Sequence, residues 1–353
     1  MTPHDPSIIG PDDPILVTGA AGFIGSRVVE QLLQRGFRNI RAFVRPSSDL
    51  TRLEMARRIS GGEAPTVIRG NLLSRLDCRD ACADVAVVFH LAAGRGEKSV
   101  PDAFMNSVVT TRNVLEACVE HARLRRFVNI SSFSVYSNRG PSRGVLDESS
   151  AVETRPQRRG DAYSFAKIKQ DELVAEYAAQ FAVPVVTVRP GYVYGPGHAA
   201  ITGRVGIDSF GLFLHLGGNN PLPLTYVDNC AEAIVLAGLR AGVDGEVFNV
   251  VDDDLPSSRR FLRLYKANVR RFSSIYVPHA ASYALSWLWE AYAGWSQNQL
   301  PPVYNRHVWH TYWKQTRYSN AHLKQKLGWT PAVATAEGLR RYFAACRERL
   351  QHA

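Results

Sequence analysis

A glycine-rich turn between an apolar strand and a helix constrains the fold of this chain more than any other feature. The β-branched run Ile15–Thr18 leads directly into residues 19–25, which read GAAGFIG, and a helical pattern follows. Closely spaced glycines permit a tight turn and let backbone N–H groups approach a pyrophosphate at the start of the helix. Between a strand and a helix near the N-terminus, the pattern predicts a dinucleotide-binding site, whereas an isolated glycine turn would predict nothing.

The remaining pattern predicts a doubly wound α/β fold. Short apolar runs alternate with longer helical stretches, which is typical of a parallel sheet covered on both faces. The predicted strands are 15–18, 40–44, 66–69, 85–91, 126–130, 185–189 and 245–250, and the predicted helices are 24–35, 103–122, 162–181, 228–239 and the segment after Ala336.

Glycines and prolines interrupt the pattern between Gly191 and Pro223, and mainly helical segments follow Asp252. We therefore predict a dinucleotide-binding domain of the Rossmann type over residues 1–190 and a smaller, mostly helical substrate lobe over 191–353. The lobe is predicted to be discontinuous, because about 226–250 returns to the first domain.

Composition argues against a nucleic-acid partner, although the net charge is +10. The arginines and lysines are spread along the chain in separate pairs, and no basic stripe with interleaved aromatic residues is present. The five cysteines are odd in number and form no CxxC pair, so we expect reduced thiols and a cytoplasmic protein. The opening residues 1–14 lack the basic start and apolar run of a secretion signal and predict a short flexible leader.

Residues 18–25 (TGAAGFIG) resemble the TGxxGxxG fingerprint of the extended short-chain dehydrogenases, a superfamily of nucleotide-sugar epimerases and dehydratases and of hydroxysteroid dehydrogenases. Similar motifs follow over nearly the whole chain, including VFHLAA at 88–93, RPGYVYGP at 189–196 and LGWTP at 327–331. The resemblance implies a nicotinamide dinucleotide, with 91–93 on its adenosine side and 190–193 beside the nicotinamide. The predicted cofactor-binding residues are Gly19, Ala21, Gly22, Phe23, Ile24, Gly25, Arg45, Asn71, Leu72, Leu91, Ala92, Ala93, Asn106, Tyr163, Lys167, Pro190, Tyr192 and Val193.

The end of the second predicted strand decides between NAD and NADP. A carboxylate there bonds the ribose 2′-hydroxyl of NAD, whereas an arginine accommodates the 2′-phosphate of NADP. This chain has Val44 at the position of the acid and Arg45 after it. Because a guanidinium binds phosphate through paired hydrogen bonds, we predict a preference for NADP over NAD; the alternative is a surface Arg45 that stacks on adenine. Asn71 stands where relatives usually carry an aspartate.

Tyr163 and Lys167 are four residues apart on a predicted helix and therefore project from one face. A tyrosine with its ordinary pKa near 10 is a poor base at neutral pH, and a nearby cation favours the phenolate. In the superfamily that the chain resembles, this lysine also bonds the cofactor ribose. The spacing alone is equally typical of a packing pair. Behind the glycine turn and before the RPGYVYGP segment, it predicts the proton carrier of a hydride-transfer enzyme.

A serine-rich segment, NISSFSVY at 129–136, supplies the third predicted catalytic group. Aligning its Val-Tyr pair with that of the superfamily places Ser132 where a hydroxyl polarises the substrate oxygen. Ser131 and Ser134 are the other candidates. Related dehydratases carry an Asp-Glu pair directly after this position, and Phe133 follows here, so 4,6-dehydration is not expected.

No metal site is predicted. His307 and His310 form an HxxH pair without a third ligand or a catalytic glutamate nearby, which is typical of core or surface histidines.

The substrate is the least constrained part of the prediction. Nucleotide-sugar enzymes of this superfamily usually carry an asparagine at the position of Tyr192 and an arginine near that of Leu222. Their absence favours a bulky hydroxy or keto compound, as in 3β-hydroxysteroid dehydrogenases, although Arg204, Arg259 or Arg306 could bind a phosphate instead. A nucleotide-sugar epimerase or ketoreductase is the alternative, and a non-catalytic dinucleotide sensor is a third.

An aromatic stripe at 279–292 (HAASYALSWLWEAY) predicts a helix with a core-facing side. It also resembles a segment of the steroid and sterol-carboxylate dehydrogenases in which a hydrophobic helix lies over the substrate cleft. An interfacial, lipid-facing role is the alternative, since the stretch is too short and polar to span a bilayer. We expect a small-molecule substrate, a homodimer and, at most, peripheral contact with a membrane.

Overall fold

The computed structural model describes residues 7–61, 64–94, 99–121, 123–198, 201–209, 211–296 and 305–351, apart from the side chains of Arg158 and Arg159. The first six residues of the expected leader and Ala122 of the helix expected at 103–122 lie outside this part of the chain.

Seven parallel strands form the main sheet, in the order β12-β7-β5-β4-β1-β2-β3. The strands in chain order are β1 Ile15–Thr18, β2 Ile40–Val44, β3 Thr66–Arg69, β4 Val87–His90, β5 Arg126–Ile130, β6 Val145–Leu146, β7 Val185–Pro190, β8 Tyr192–Tyr194, β9 Gly206–Ser209, β10 Leu212–His215, β11 Leu224–Tyr226, β12 Val247–Val250, β13 Ser274–Tyr276 and β14 Arg317–Tyr318.

Helices cover both faces of this sheet, as expected for buried parallel strands. In chain order they are α1 Gly25–Gln34, α2 Thr51–Ser60, α3 Arg75–Cys82, α4 Val100–Phe104, α5 Thr110–His121, α6 Ala162–Phe181, α7 Val227–Leu239, α8 Ser258–Asn268, α9 His279–Trp295, α10 Arg306–Tyr312, α11 Ala321–Leu327 and α12 Thr335–Gln351. A π-helical turn, Met105–Val109, joins α4 to α5.

Strand β1 shows why the central runs are continuously apolar. Ile15 and Val17 point into a cluster with α1 and α7, whereas Leu16 points into the cluster on the opposite face. The strand order reverses between β1 and β4, and ligands of doubly wound sheets bind at the carboxyl ends of strands at such a switch point. The predicted fold class is therefore confirmed, and the topology directs attention to the ends of β1 and β4.

After β12 the described chain is mainly helical, with short strands in two small sheets. Strands β9, β10 and β13 form one sheet, and β14 pairs with β6 of the first half. The segment expected to be rich in loops, 191–223, contains β8, β9 and β10. The division into domains at residue 190 stays a prediction. No described helix has both the length and the apolar character required to cross a bilayer.

Candidate active site

The glycine positions of the turn after β1 leave no space for a side chain. Gly19 has a φ of +66°, which favours glycine. An added Cβ at Gly25 would lie 2.2 Å from the carbonyl oxygen of Gly19, and one at Gly22 would lie 2.9 Å from the same atom. Helix α1 begins without a side-chain cap and without an acidic residue in its first turn. Its N-terminal N–H groups are therefore suited to an anion such as a pyrophosphate.

The end of β4 lies directly against this turn. A Cβ on Gly19 would contact the backbone nitrogen of Ala92 at 3.0 Å, and that nitrogen donates to the Thr18 hydroxyl at 3.2 Å. Leu91, Ala92 and Ala93 are half-buried. The structure thus brings the predicted adenosine-side residues next to the glycine turn. The same hydroxyl contacts His90, whose pKa burial lowers to about 3, so that the buried imidazole is neutral.

The predicted residues beyond β2 and β3 occupy exposed turns at the same end of the sheet. Val44 is buried, and Arg45 is exposed directly after it. The side-chain oxygen of Asn71 accepts from the backbone of Leu73 at 3.0 Å, so it helps to shape its own turn. Leu72 is buried beside them. Asn106 lies in the π-helical turn and donates to the backbone oxygen of Asp102 at 3.0 Å.

The Tyr163 phenol lies close enough to the Ser132 hydroxyl for the two groups to interact. Asp161 caps α6 by accepting from the backbone nitrogens of Tyr163 and Ser164, which fixes the start of the helix. Tyr163 is half-buried, and desolvation of its phenol raises the pKa to about 12, although the interaction with Ser132 lowers it. Ser132 also accepts from the backbone nitrogen of Ser134 at 3.2 Å. The structure therefore brings two predicted catalytic groups together.

Lys167 is buried on the same helix. Its Nζ donates to the backbone oxygen of Ile130 at 2.7 Å and to Oε1 of Gln170 at 3.0 Å. Burial lowers its pKa to about 8, and the nearby Asp171 opposes that shift. The net shift of the Tyr163 pKa is upward, because desolvation outweighs the interactions that favour the phenolate. Desolvation dominates at both groups, and the ammonium is held by the end of β5.

Asp171 connects β5, α6 and β7 in a way that the sequence analysis missed. Its carboxylate accepts from Ser131 at 2.7 Å, from Asn129 at 2.9 Å and from Arg189 at 3.1 Å. The hydroxyl of Ser131 is therefore committed to this network, which leaves Ser132 as the serine beside Tyr163. A signal was available, because Asp171 lies one turn after Lys167 and so shares its helix face.

The predicted nicotinamide-side residues lie at β7 and β8. Pro190 is buried, and Tyr192 and Val193 are half-buried. The Tyr192 hydroxyl contacts Nδ1 of His198 at 3.2 Å, and that imidazole lies 5.7 Å from the Phe23 ring of the glycine turn. Tyr192 is thus directed toward the glycine turn.

Arg204 stacks on Tyr312, a residue that influences Tyr163, and the sequence analysis named it only as a substitute phosphate-binding residue. It is 9% exposed, it donates to the Thr311 oxygen at 2.8 Å, and it stacks 5.1 Å from the Tyr312 ring. The Tyr312 phenol is near enough to Tyr163 to raise the pKa of that residue. No carboxylate in the described part of the chain pairs with Arg204.

The other substitute cations are placed differently. Arg306 binds Glu290 at 2.9 Å, and Arg259 is exposed against the Tyr276 ring. Leu222 is buried in an apolar cluster with Phe261 and Tyr342. His310 is half-buried, with a pKa lowered to about 4, mainly by desolvation. Among the described residues, no three His, Cys, Asp or Glu side chains are grouped as metal ligands would be.

The prediction that the aromatic stripe of α9 faces the core is wrong. Ser282 and Ser286 occupy its buried face, whereas Leu285, Trp287 and Leu288 are exposed. The apolar cleft expected beneath this helix is therefore not lined by these side chains. Helical periodicity identified a stripe but carried no information about the direction in which it faces.

The chain is similar in sequence to known proteins over about two thirds of its length. The family model "NAD dependent epimerase/dehydratase family" matches residues 15–250. An uncharacterised UDP-glucose epimerase of Bacillus subtilis, YtcB, is 30% identical over 252 residues, which are 67% of this chain and 76% of that protein. A 4-hydroxy-2-methyl-3-oxo-4-farnesyl-3,4-dihydroquinoline-1-oxide ketoreductase of Stigmatella aurantiaca is 29% identical over 251 residues, 70% of this chain and 71% of that protein.

Among solved structures, UDP-glucuronic acid 4-epimerase from Bacillus cereus in complex with NAD is similar with a TM-score of 0.70 at 22% identity, covering 95% of this chain and 99% of that one. This likeness shows the shared fold. The extent of the family match, together with the Bacillus subtilis relative, also shows the family to which the chain belongs. The chain belongs to the NAD dependent epimerase/dehydratase family and is an enzyme of the oxidoreductase type.

Proposed function

We propose that the protein is a nucleotide-sugar epimerase that oxidises a secondary carbinol of its substrate and reduces the resulting ketone again. The observation that carries this proposal is the buried guanidinium of Arg204, which lacks a carboxylate partner in the described chain and stacks on Tyr312 beside Tyr163. A buried cation without a counter-charge is costly. An anionic group of the substrate would supply that charge.

The glycine turn fits a dinucleotide, because its glycine positions leave no room for side chains and it presents an uncapped helix N-terminus. A bound nicotinamide dinucleotide supplies a hydride acceptor and donor. Residues 19–25 and 91–93 would hold its pyrophosphate and adenosine, and 190–193 would flank its nicotinamide. Solved relatives of this fold bind NAD. The preference for NADP predicted from Arg45 remains to be tested by titration.

Tyr163 and Ser132 would handle the substrate proton. With a pKa of about 12 the phenol is protonated at neutral pH, which suits the reductive half of the cycle, in which Tyr163 gives its proton to the substrate oxygen. The oxidative half requires the phenolate, which the Ser132 interaction and the Lys167 ammonium one helical turn away both favour. Ser132 would also donate to the substrate oxygen and orient the carbinol.

Arg204 would hold the diphosphate of the nucleotide. One Nη of the guanidinium bonds the Thr311 oxygen and the Tyr318 hydroxyl, and its other N–H groups have no partner among the described residues. A guanidinium with free N–H groups binds phosphate oxygens in pairs. In this proposal the anion would bind on the C-terminal half and the reacting carbinol would lie at Tyr163.

A bulky hydroxy or keto compound, as in 3β-hydroxysteroid dehydrogenases, is the second candidate substrate. It is favoured by the Phe133 and Tyr318 rings, 5.7 Å apart beside Ser132, and by Tyr192, whose hydroxyl is bonded to His198 where nucleotide-sugar enzymes offer an amide. Burial of an extended apolar ligand would then provide the binding energy.

Calorimetric titration with free UDP, GDP and dTDP, in the presence of dinucleotide, separates the two candidates. We expect micromolar binding of at least one nucleotide, and about a tenfold or larger loss in Arg204→Met, the range for a charge-assisted bond. Arg259→Met, which changes an exposed arginine, is the matched control and should bind as the wild type does. Absence of nucleotide binding, together with thermal stabilisation by a sterol, would favour the second candidate.

A further inference from the structure

Helix α9 buries small side chains and exposes most of its large apolar ones, whereas Trp289 is half-buried. Ser282, Ser286 and Ala293 are its buried residues, and the hydroxyl of Ser282 accepts from Nε1 of Trp309 on α10 at 2.9 Å. A surface helix ordinarily has the opposite arrangement, with its apolar side toward the core. The exposed large side chains of α9 are Tyr283, Leu285, Trp287, Leu288, Tyr292 and Trp295.

The exposed apolar surface extends beyond the helix. Ile275 and Tyr276 of β13, which precede α9, are 54% and 43% exposed. Trp295 at the end of the helix is 80% exposed. We call these two residues of β13 and the six exposed residues of α9 the α9 surface. Contiguous exposed apolar patches of this kind mark interaction sites.

Positive charge adjoins this surface. Residues 258–296 contain six cations and one acid, Glu290, which is bound to Arg306. Arg259 stacks 5.0 Å from the ring of Tyr276 and so joins the cations to the α9 surface. Lys266 bonds Ser274 of β13 at 2.7 Å. The six cations are Arg259, Arg260, Arg263, Lys266, Arg270 and Arg271, of which Arg260 lies 3.8 Å from the Asp254 carboxylate that precedes this segment.

We propose that the α9 surface binds the headgroup region of an anionic lipid bilayer. A helix that lies in the membrane interface inserts Trp and Leu side chains below the headgroups while neighbouring Lys and Arg side chains contact anionic lipids. Tryptophan and tyrosine suit this depth, because each has an apolar ring and a polar tip. The enzyme would then act at a membrane surface without crossing it.

The charge distribution favours a lipid surface over a second copy of this chain. In a two-fold dimer the same patch faces itself. The cations that accompany the α9 surface would then approach their own copies, and like charges brought together oppose association. Anionic headgroups instead neutralise them.

Co-sedimentation with vesicles tests the proposal directly. We expect the full chain to bind vesicles of equal parts phosphatidylcholine and phosphatidylglycerol, and to bind phosphatidylcholine alone at least about tenfold more weakly, given the contribution of each basic residue near an anionic surface. Tryptophan emission should shift to the blue on binding, because Trp287 and Trp295 leave water. No binding to the anionic vesicles would overturn the proposal.

Two variants with matched controls locate the contact. The combination Leu285→Ser, Trp287→Ser and Leu288→Ser should abolish sedimentation with vesicles, whereas Met55→Ser, Ile59→Ser and Leu76→Ser, at equally exposed positions of α2 and α3, should not.

The pair Arg259→Gln and Arg263→Gln should weaken binding to anionic vesicles about 30-fold, by the same contribution per charge, whereas Arg57→Gln and Arg58→Gln should have little effect. Circular dichroism and dinucleotide binding show that each variant is folded. Binding that survives the serine variant would contradict the proposal. The proposal would also be contradicted if the wild type bound no vesicles and formed a dimer that the serine variant dissociates. That result would assign the α9 surface to contact with a second copy of the chain.

Discussion

Burial changes the order in which Tyr163 and Lys167 lose their protons. In water the phenol and the ammonium have similar pKa values. Desolvation disfavours the charged form of each, so it raises the pKa of the tyrosine to about 12 and lowers that of the lysine to about 8. The protein therefore holds a neutral tyrosine whose ionisation depends on what binds beside it.

The first prediction concerns these two side chains. Tyr163→Phe removes the proton carrier alone, so turnover should fall by about 10² to 10⁴-fold or more while dinucleotide affinity stays nearly unchanged. Lys167→Ala should lose both properties, because the proposed role of the amine includes the ribose. Steady-state kinetics and fluorescence titration measure the two effects separately. Near wild-type turnover in Tyr163→Phe would make the acid–base assignment wrong.

The prediction about the choice between NAD and NADP depends on Arg45. It is exposed directly after β2, where a 2′-phosphate would lie in a doubly wound sheet. Arg45→Asp should weaken NADP binding by about 1 to 3 kcal/mol, the range for charge-assisted bonds, and spare NAD. Titration of both dinucleotides against both proteins tests this. Unchanged affinities would show that Arg45 does not contact the cofactor.

At the scale of an element, close contact between the backbone of the turn and the start of α1 determines how the unit β1–turn–α1 packs. The Gly25 position allows the helix to start against the carbonyl oxygen of Gly19. A backbone atom cannot move aside as the end of a flexible side chain can. Any side chain at Gly25 therefore displaces the turn or the helix.

The prediction for this element uses the smallest possible change. Gly25→Ala should destabilise the protein by about 1 to 3 kcal/mol, which is typical of overpacking, and should weaken dinucleotide binding, although alanine is the better helix former. Gly140→Ala is the control, since a Cβ there meets no atom within 4 Å. Thermal unfolding and dinucleotide titration give the two readouts. Equal behaviour of the two variants would argue against a tightly packed turn.

At the scale of the whole molecule, Asp252 joins the end of the main sheet to the segment that leads into α7. Its carboxylate accepts from the backbone nitrogen of Tyr226 and from Nδ2 of Asn229, each at 2.9 Å. It is 2% exposed, and burial raises its pKa to about 6. The folded protein therefore holds a proton at this site more tightly than the unfolded chain does.

This raised pKa predicts the direction of a pH dependence. The stability contributed by the protonated carboxyl is complete below about pH 4, the unfolded value, and is lost as the pH rises through about 6. Relative to Asp252→Asn, which cannot ionise, the wild type should lose about 3 kcal/mol of unfolding free energy between about pH 4 and pH 7. Chemical denaturation of both proteins across that interval measures the difference. A constant difference would show that Asp252 does not titrate there.

The sequence identified the structural features that depend only on residues close together along the chain. β1, the glycine turn and the helix after it are local, and the Tyr163–Lys167 pair shares a face because of helical geometry alone. The short amphipathic helices α2 and α3 were not predicted. Only Leu53 and Ala56 are buried in α2, so its apolar periodicity is weak.

Contacts between segments that are distant in the sequence could be identified only from the folded structure. The Ser132–Tyr163 interaction, the Asp171 network and the stacking of Arg204 on Tyr312 each join residues from different elements. The sequence alone determined the dinucleotide turn and the tyrosine–lysine pair, because backbone sterics and helical spacing act within a few residues. Tertiary structure alone decided which cation approaches the tyrosine, because that contact joins residues far apart in the sequence. It also decided that α9 turns its aromatic side chains outward. Periodicity marks a stripe on a helix, but the elements packed against the helix set the direction in which that stripe faces.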